Sequence, residues 1–186
     1  MSKHLHKVIS SSIRIDSTVA NVWDKITTVE IEHFRFPWYF RLMNIPKPIR
    51  AEITREGVGG NRVAYFDNGK RFMQEIDTWE LHRTYSFTFN PENGFKAGFV
   101  FDLFSGIFRI QKGTYFISNE GSATTIELRT DYSIQRNVSW LMSGPIHLVL
   151  VVFQSYLLTT IKANAEVPSS KKSSKKTLLH AGNYYL

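Results

Sequence analysis

The sequence predicts an α+β fold in which a curved antiparallel sheet of about seven strands wraps around a long C-terminal helix. Residues 138–166 indicate the helix, because they hold no Asp, Glu, Lys or Arg between Val138 and Ile161. A helix without charges must be covered by apolar groups around most of its circumference. Much of the chain upstream alternates apolar and polar residues or carries hairpin turns, so it supplies strands that can cover this helix.

Length and composition fit one globular domain with a substantial core. The chain has 186 residues, of which 42% are hydrophobic and 14% aromatic, as in an ordinary folded protein. It contains no cysteine, which excludes disulfides, thiolate metal sites and a cysteine nucleophile. Residues 1–16 lack the apolar segment of a secretory signal, and the expected location is the cytoplasm.

Charge separates a domain at 1–166 from a basic tail at 167–186. The net charge is +7, and four of the positive charges are lysines between Ser169 and Lys176. We interpret this tail as a solvated, flexible terminus. Nucleic acid is therefore not an expected partner.

The first elements are a strand, a helix and a short helical segment. Isoleucine and polar residues alternate over Ile9–Ile15, which is the period of a half-buried strand. Apolar residues at helical spacing follow a capping residue over Thr18–Val29. The aromatic segment 31–43 is predicted to form a short helix or turn that covers one end of the core.

Further strands follow, joined by turns. The pair Asn68-Gly69 between two apolar segments is a strong hairpin signal. Residues 90–106 interrupt the pattern with glycines and form either a short hairpin or a flap over a pocket mouth; they contain Phe95, Phe99, Phe101 and Phe104. The predicted strands are Ile49–Glu56, Asn61–Phe66, Phe72–Trp79, Tyr85–Phe89, Ile107–Ser118 and Ala123–Ile134.

The order of these elements, and the residues that mark it, resemble the START-like and Bet v 1-like helix-grip superfamily. The resemblance covers residues 7–166 and lies in IRIDSTVANVWDKITTVE, RFMQEIDTWE followed by RTYSFTF, the hairpin FRIQKGTYFISNEGSATTIELRTDYSI and the closing helix. It implies a sheet that grips the helix, with a hydrophobic cavity between them. Relatives, including bacterial polyketide cyclase/dehydrase and lipid-transport domains, hold lipids, polyketides, sterols or hormones there. Membership alone does not choose between a carrier and an enzyme.

Motifs for catalysis or metal binding are missing. The chain has no P-loop, dinucleotide-binding glycine pattern, GxSxG or HExxH, and we expect neither a metal nor a cofactor. His4 and His6 are interpreted as solvent-exposed. The carboxylates Glu75 and Asp77 share a strand face with Trp79, which leaves the direction of that face open.

A polar stripe runs along the long helix. Ser143, His147 and Gln154 fall within about 40° of one another at 100° per residue. If the stripe faces the cavity, His147 can orient or protonate a ligand carbonyl. If it faces solvent or a partner, it is only the polar side of an amphipathic helix.

We predict that the protein binds or transports a hydrophobic small molecule, such as a lipid or polyketide, between sheet and helix, because ligand cavities are mostly apolar with few polar groups. One alternative is a cyclase- or dehydratase-type enzyme that uses His147 as acid or base. The predicted ligand-binding residues are Phe87, Phe89, Ile126, Leu128, Tyr132, Ser143, His147, Val151, Gln154 and Leu158.

A second alternative is a module that contacts a membrane surface, another protein or a second copy of itself. It rests on Val149–Phe153, which is apolar on every side although a helix gripped on one side does not need this. Lysines of the tail would add attraction to anionic lipid, of order 1 kcal/mol each. A membrane-spanning helix is disfavoured, because polar residues dilute the apolar segment.

Overall fold

The computed structural model describes residues 3–90, 108–137 and 139–167, and it confirms the predicted architecture. Residues 91–107, which hold the predicted flap, and 168–186, which hold the lysines of the tail, lie outside the described part. The strands are β1 His4–Ile15, β2 Val29–Glu30, β3 Pro48–Ile53, β4 Asn61–Phe66, β5 Arg71–Glu80, β6 Thr84–Asn90, β7 Phe108–Glu120 and β8 Ala123–Gln135. The helices are α1 Val19–Thr27, α2 Trp38–Leu42 and α3 Ser139–Ala165.

One curled antiparallel sheet contains these eight strands, in the order β1-β8-β7-β6-β5-β4-β3-β2. The sequence predicted about seven strands. The additional strand is β2, in which Val29 and Glu30 pair with Ala51 and Arg50 of β3. The sequence predicts that the first helix extends to Val29, but α1 ends at Thr27, because Val29 pairs with Ala51 in the edge strand β2.

Both predicted short helices are present between β1 and β3. The side chain of Thr18 accepts a hydrogen bond from the Asn21 backbone N–H at 3.4 Å and caps α1, as its sequence predicted. The apolar face of α1 is fully buried through Val22, Trp23 and Ile26. The aromatic segment contributes α2, whose Phe40 is buried against Phe36 and Phe153.

The long helix α3 packs most closely against β1, β8 and α1. Its C-terminal half joins a core cluster around Trp23 through Leu158, Ile161 and Ala165. Its N-terminal half joins a second cluster in which Ile146 and Leu150 meet side chains of β1, β5, β7 and β8. The helix therefore lies toward one edge of the sheet rather than across its middle.

The outer face of α3, defined here by Trp140, Leu141 and Leu148, remains largely uncovered among the described residues. These side chains are 82%, 60% and 64% exposed. By length and composition α3 could cross a membrane, a criterion that the central helix of a water-soluble fold also meets; 22% of its most apolar 18-residue window is buried. The sequence predicts the apolar surplus at Val149–Phe153, but those residues are buried or half-buried, and the exposed apolar side chains of α3 lie nearer its N-terminus.

Two irregularities in strand pairing change which side chains point inward. In β5 the pairing with β6 shifts between Ile76 and Thr78, and in β7 the pairing with β8 shifts between Ile110 and Lys112. Such a bulge inserts one residue and reverses the alternation beyond it. Trp79 therefore packs onto the core through Trp23, with ring centroids 5.1 Å apart, whereas Glu75 and Asp77 are exposed.

The packing of α3 predicts a large difference between two leucines of this helix. Leu158 is 2% exposed inside the core cluster, and Leu148 is 64% exposed. Leu158→Ala should lower the free energy of unfolding by about 2–5 kcal/mol, because it opens a cavity in the core. Leu148→Ala, the matched control, should change it by less than about 0.5 kcal/mol. Chemical denaturation measures both, and equal losses would contradict the position of α3.

Candidate functional site

The main candidate site is a cavity between the inner face of the sheet and α3. Its volume is about 190 Å³. That is larger than the roughly 150 Å³ of an apolar cavity known to hold benzene, and smaller than a typical site for a drug-sized ligand, about 300–1,000 Å³. The site is therefore sized for a molecule with about one aromatic ring.

Aromatic rings form much of the cavity wall. They touch one another edge to face, for example Phe66 with Phe72 at 5.2 Å and Phe87 with Phe89 at 5.4 Å between centroids. Edge-to-face contacts of this kind stabilise particular ring orientations in the wall. The aromatic lining residues are Phe66, Phe72, Phe87, Phe89, Phe108, Tyr115 and Phe153.

A glycine in β7 makes room for one of these rings. Gly113 pairs directly with Phe87 of β6. A Cβ atom at position 113 would lie 2.9 Å from two carbon atoms of the Phe87 ring, closer than side-chain contacts allow. Any larger residue at this position would displace Phe87, and both residues line the cavity.

The most unusual polar group of the cavity is the guanidinium of Arg62. Arg62 lines the cavity and is 5% exposed. Its Nη1 donates to Oε1 of Gln74 at 3.0 Å, while its Nε is buried without a partner. The centre of the guanidinium lies 5.0 Å from the ring centroid of Phe87 and 6.0 Å from that of Tyr85.

A second polar group, the Gln154 amide, joins α3 to the sheet. It accepts a hydrogen bond from Ser11 Oγ at 2.8 Å and donates to Thr130 Oγ1 at 2.8 Å. It also reaches the backbone oxygen of Ile9 at 3.4 Å. Gln154 and Thr130 line the cavity, so this network forms part of its wall.

Two buried tyrosines lie close to Arg62. Burial raises the pKa of Tyr85 to about 12, although the nearby Arg62 charge opposes this rise. Burial also raises the pKa of Tyr115, again with Arg62 acting in the opposite direction. Both phenols are therefore neutral at physiological pH. The hydroxyl of Tyr85 is buried and has no hydrogen-bond partner.

The structure separates the ten predicted ligand-binding residues into four groups. Phe87, Phe89, Leu128 and Gln154 line the cavity. Ile126 and Leu158 belong to the core cluster around α1, whereas Tyr132 and Val151 belong to, or pack against, the second cluster. The other two are in the polar stripe of α3: Ser143 and His147.

The polar stripe of α3 faces β1 rather than the cavity at its N-terminal end. Ser143 accepts a hydrogen bond from Lys7 Nζ at 2.7 Å. Ser143, His147 and Tyr132 line a separate, more open depression beside β1, and His147 is exposed. Of the stripe, Gln154 alone is among the cavity-lining residues.

Sequence reasoning missed the cavity residues Arg62 and Gln74. In β4 the apolar Val63 and Tyr65 alternate with Arg62, so the pattern favoured an outward arginine. A signal was present in the pairing: Arg62 stands opposite Gln74, and Gln74 lies between the apolar Phe72 and Ile76 on one strand face. A polar residue within such a face predicts a polar neighbour across the strand.

The described residues contain no group of three or more His, Asp or Glu side chains placed to hold a metal ion. Glu75 and Asp77, considered as a catalytic pair, lie on the exposed face of β5. A hydrogen bond from Lys112 is the main reason that the pKa of Asp77 is lowered. This carboxylate is therefore half of a surface ion pair.

No family model matches the sequence, and no curated protein matches it. Solved structures do share its fold. Truncated norcoclaurine synthase from Thalictrum flavum is 11% identical with a TM-score of 0.57, over 91% of this chain and 99% of that one. The same enzyme in complex with dopamine and hydroxybenzaldehyde is 14% identical with a TM-score of 0.51, over 90% and 91%. Ara h 8.0201 is 12% identical with a TM-score of 0.54, over 86% and 97%.

The buried hydroxyl of Tyr85 predicts the effect of its removal. Tyr85→Phe should leave the free energy of unfolding unchanged or raise it by about 1 kcal/mol, because a hydroxyl without a partner disfavours the folded state.

The ordinary pKa of tyrosine is 10.0, and that of folded Tyr85 is about 12. Because the folded state holds this proton more tightly than the unfolded chain, the free energy of unfolding of the wild type should not depend on this group below pH 10. It should fall as the pH rises from 10 toward 12. Denaturation across this range measures both effects, and a less stable Tyr85→Phe variant would contradict them.

Proposed function

We propose that this chain, which has the Bet v 1-like helix-grip fold, binds a hydrophobic small molecule in the cavity under α3. It would act as a carrier or sensor in the cytoplasm rather than as an enzyme. The observation that carries the proposal is a cavity of about 190 Å³ with aromatic walls, in a domain whose other inward positions are closely packed.

The physical basis is the unused apolar surface of the cavity wall. Protein interiors are otherwise packed as densely as organic crystals. A ligand that fills the space buries its own apolar surface and gains contacts with the wall, at about 25 cal/mol per Å² of apolar area removed from water. The fold also supports the proposal, because its relative from Thalictrum flavum is described with two aromatic small molecules bound.

The cyclase or dehydratase alternative receives less support from the site. It used His147 as acid or base, and His147 is exposed in the depression beside β1. The ionisable side chains among the described lining residues are Arg50, Arg62 and Tyr115. An arginine stays protonated, and the pKa of Tyr115 is raised by burial, so neither type is suited to proton transfer near neutral pH.

Filling the cavity should weaken binding. Ala64 lines the cavity from β4, and Ala64→Phe would occupy the space of a ligand ring. With the neutral probe 3-phenylpropan-1-ol, we expect this variant to bind at least about tenfold more weakly than wild type, a loss of about 1.4 kcal/mol. Ala20→Phe, on the exposed side of α1, is the matched control. Isothermal titration calorimetry measures all three proteins, and the absence of binding by the wild type would refute the proposal.

The outer face of α3 supports a second candidate function, a weak contact with a membrane surface. Exposed Trp140, Leu141 and Leu148 lie in the same chain as a lysine-rich tail, and apolar and basic groups together favour anionic lipid.

Co-sedimentation with vesicles tests this second function. The full chain should bind vesicles that contain phosphatidylserine at low salt and release them at high salt. The double variant Trp140→Ala/Leu141→Ala should bind several-fold more weakly. Leu81→Ala, which removes a leucine that is 61% exposed elsewhere on the surface, should bind like the wild type. No sedimentation of the wild type at either salt concentration would rule out this function.

A further inference from the structure

We infer that the ligand of the cavity is an aromatic monocarboxylate whose carboxylate group pairs with Arg62. The inference rests on the proposed function and specifies the chemistry of its ligand. It follows from three observations: the position of Arg62 in the sheet, the hydrogen bonds and ion pairs of its guanidinium, and the size of the cavity.

The placement of Arg62 is determined by the sheet. In β4, Arg62, Ala64 and Phe66 all line the cavity, because alternate residues of a strand share a face. Arg62 therefore cannot turn to the outer surface unless the register of β4 with β3 and β5 changes. Its side chain is 5% exposed, so water solvates little of its charge.

The charge of Arg62 has no carboxylate partner among the described residues. Its single hydrogen bond there is the one to neutral Gln74, and its Nε has none. Arginines that form ion pairs in the described part of the chain do so nearer the surface: Arg14 with Glu120, Arg50 with Glu52 and Arg129 with Asp131. Burying an unpaired charge is unfavourable. An anion bound in the cavity would pair with Arg62 and would therefore stabilise the folded protein.

Arg50 gives a useful contrast, because it also lines the cavity. Its Nε lies 3.3 Å from Glu52 Oε1, and its guanidinium stacks 4.6 Å from the ring centroid of Tyr65. Its side chain is 54% exposed. Arg50 is therefore neutralised and solvated without a ligand, whereas Arg62 is buried and has no carboxylate partner within the described part of the chain.

The shape of the guanidinium and the size of the cavity define the class of anion. The planar fork of arginine matches the two oxygens of a carboxylate, and one buried guanidinium balances one negative charge. A cavity slightly larger than one that holds benzene has room for one ring and a short chain. Phe87, which lines the cavity 5.0 Å from the guanidinium of Arg62, would contact the apolar part of this ligand.

Three ligands of equal size test the charge preference: 3-phenylpropanoate, 3-phenylpropan-1-ol and 3-phenylpropylamine, which at neutral pH are anionic, neutral and cationic. Calorimetry on the full chain should show the carboxylate binding about 10- to 100-fold more tightly than the alcohol, the range of a hydrogen-bonded charge. The amine should bind most weakly. Equal affinity for acid and alcohol would overturn the inference and leave the proposed function intact. Failure of all three to bind would overturn both.

Two variants assign the preference to Arg62. Arg62→Met should reduce the ratio of acid to alcohol affinity to about one, since it removes the charge and keeps an apolar side chain of similar length. Gln74→Glu should have the same effect while Arg62 remains, because the new carboxylate takes the place of Gln74 Oε1, 3.0 Å from the guanidinium, and neutralises it internally. Arg14→Met, which removes an exposed arginine paired with Glu120 outside the cavity, is the control and should keep the wild-type ratio.

A readout without ligand completes the test and guards against loss of fold. If the charge of Arg62 is unneutralised in the free protein, Arg62→Met and Gln74→Glu should both melt at or above the wild-type temperature. Lower melting temperatures for both would mean that Gln74 and the neighbouring rings already satisfy Arg62, which would overturn the inference. A preference for the acid that persists in both variants would also overturn it.

Discussion

The attachment of α3 to one edge of the sheet determines the interior of this protein. Gln154 uses both ends of its amide to hold the helix against β1 and β8, through Ser11, Thr130 and the backbone of Ile9. Because these strands are neighbours at one edge of the sheet, the helix leaves the inner faces of β4 to β7 incompletely covered. The cavity is this uncovered space, and the polar residue that anchors the helix is also part of its wall.

The sequence predicted those elements in which the spacing of apolar residues matches the spacing of buried positions. In β8 the inward positions Ile126, Leu128 and Ile134 are apolar and buried, so alternation alone identifies the strand and its inner face. The same holds for the aromatic face of β6 and for the capped helix α1. The long helix was predictable because a helix without charged residues is stable only where other parts of the protein bury its apolar surface. These features depend on neighbours within a few residues along the chain.

The features that the sequence did not reveal depend on pairing between distant strands. The bulge in β5 turns Trp79 inward and leaves Asp77 at the surface. The local sequence gives no sign of the extra residue that forms this bulge. Leu158 and Leu128 belong to the same core cluster, yet of the two only Leu128 also lines the cavity. The difference arises from the sideways position of α3, which is fixed by contacts across more than a hundred residues. Arg62 was missed for the related reason that the register of β4 decides its face.

Gly113 is the point at which the backbone of β7 determines the position of an aromatic ring in the cavity wall. A β-carbon at residue 113 would lie 2.9 Å from two carbon atoms of the Phe87 ring, so the position of this ring depends on the absence of a side chain at that point of β7. The same ring lies 5.0 Å from the guanidinium of Arg62, so a side chain at position 113 would disturb the surroundings of the charge as well as the volume of the cavity. The size and the charge of this space are therefore coupled through one aromatic ring, and a substitution at one backbone position would alter both at once.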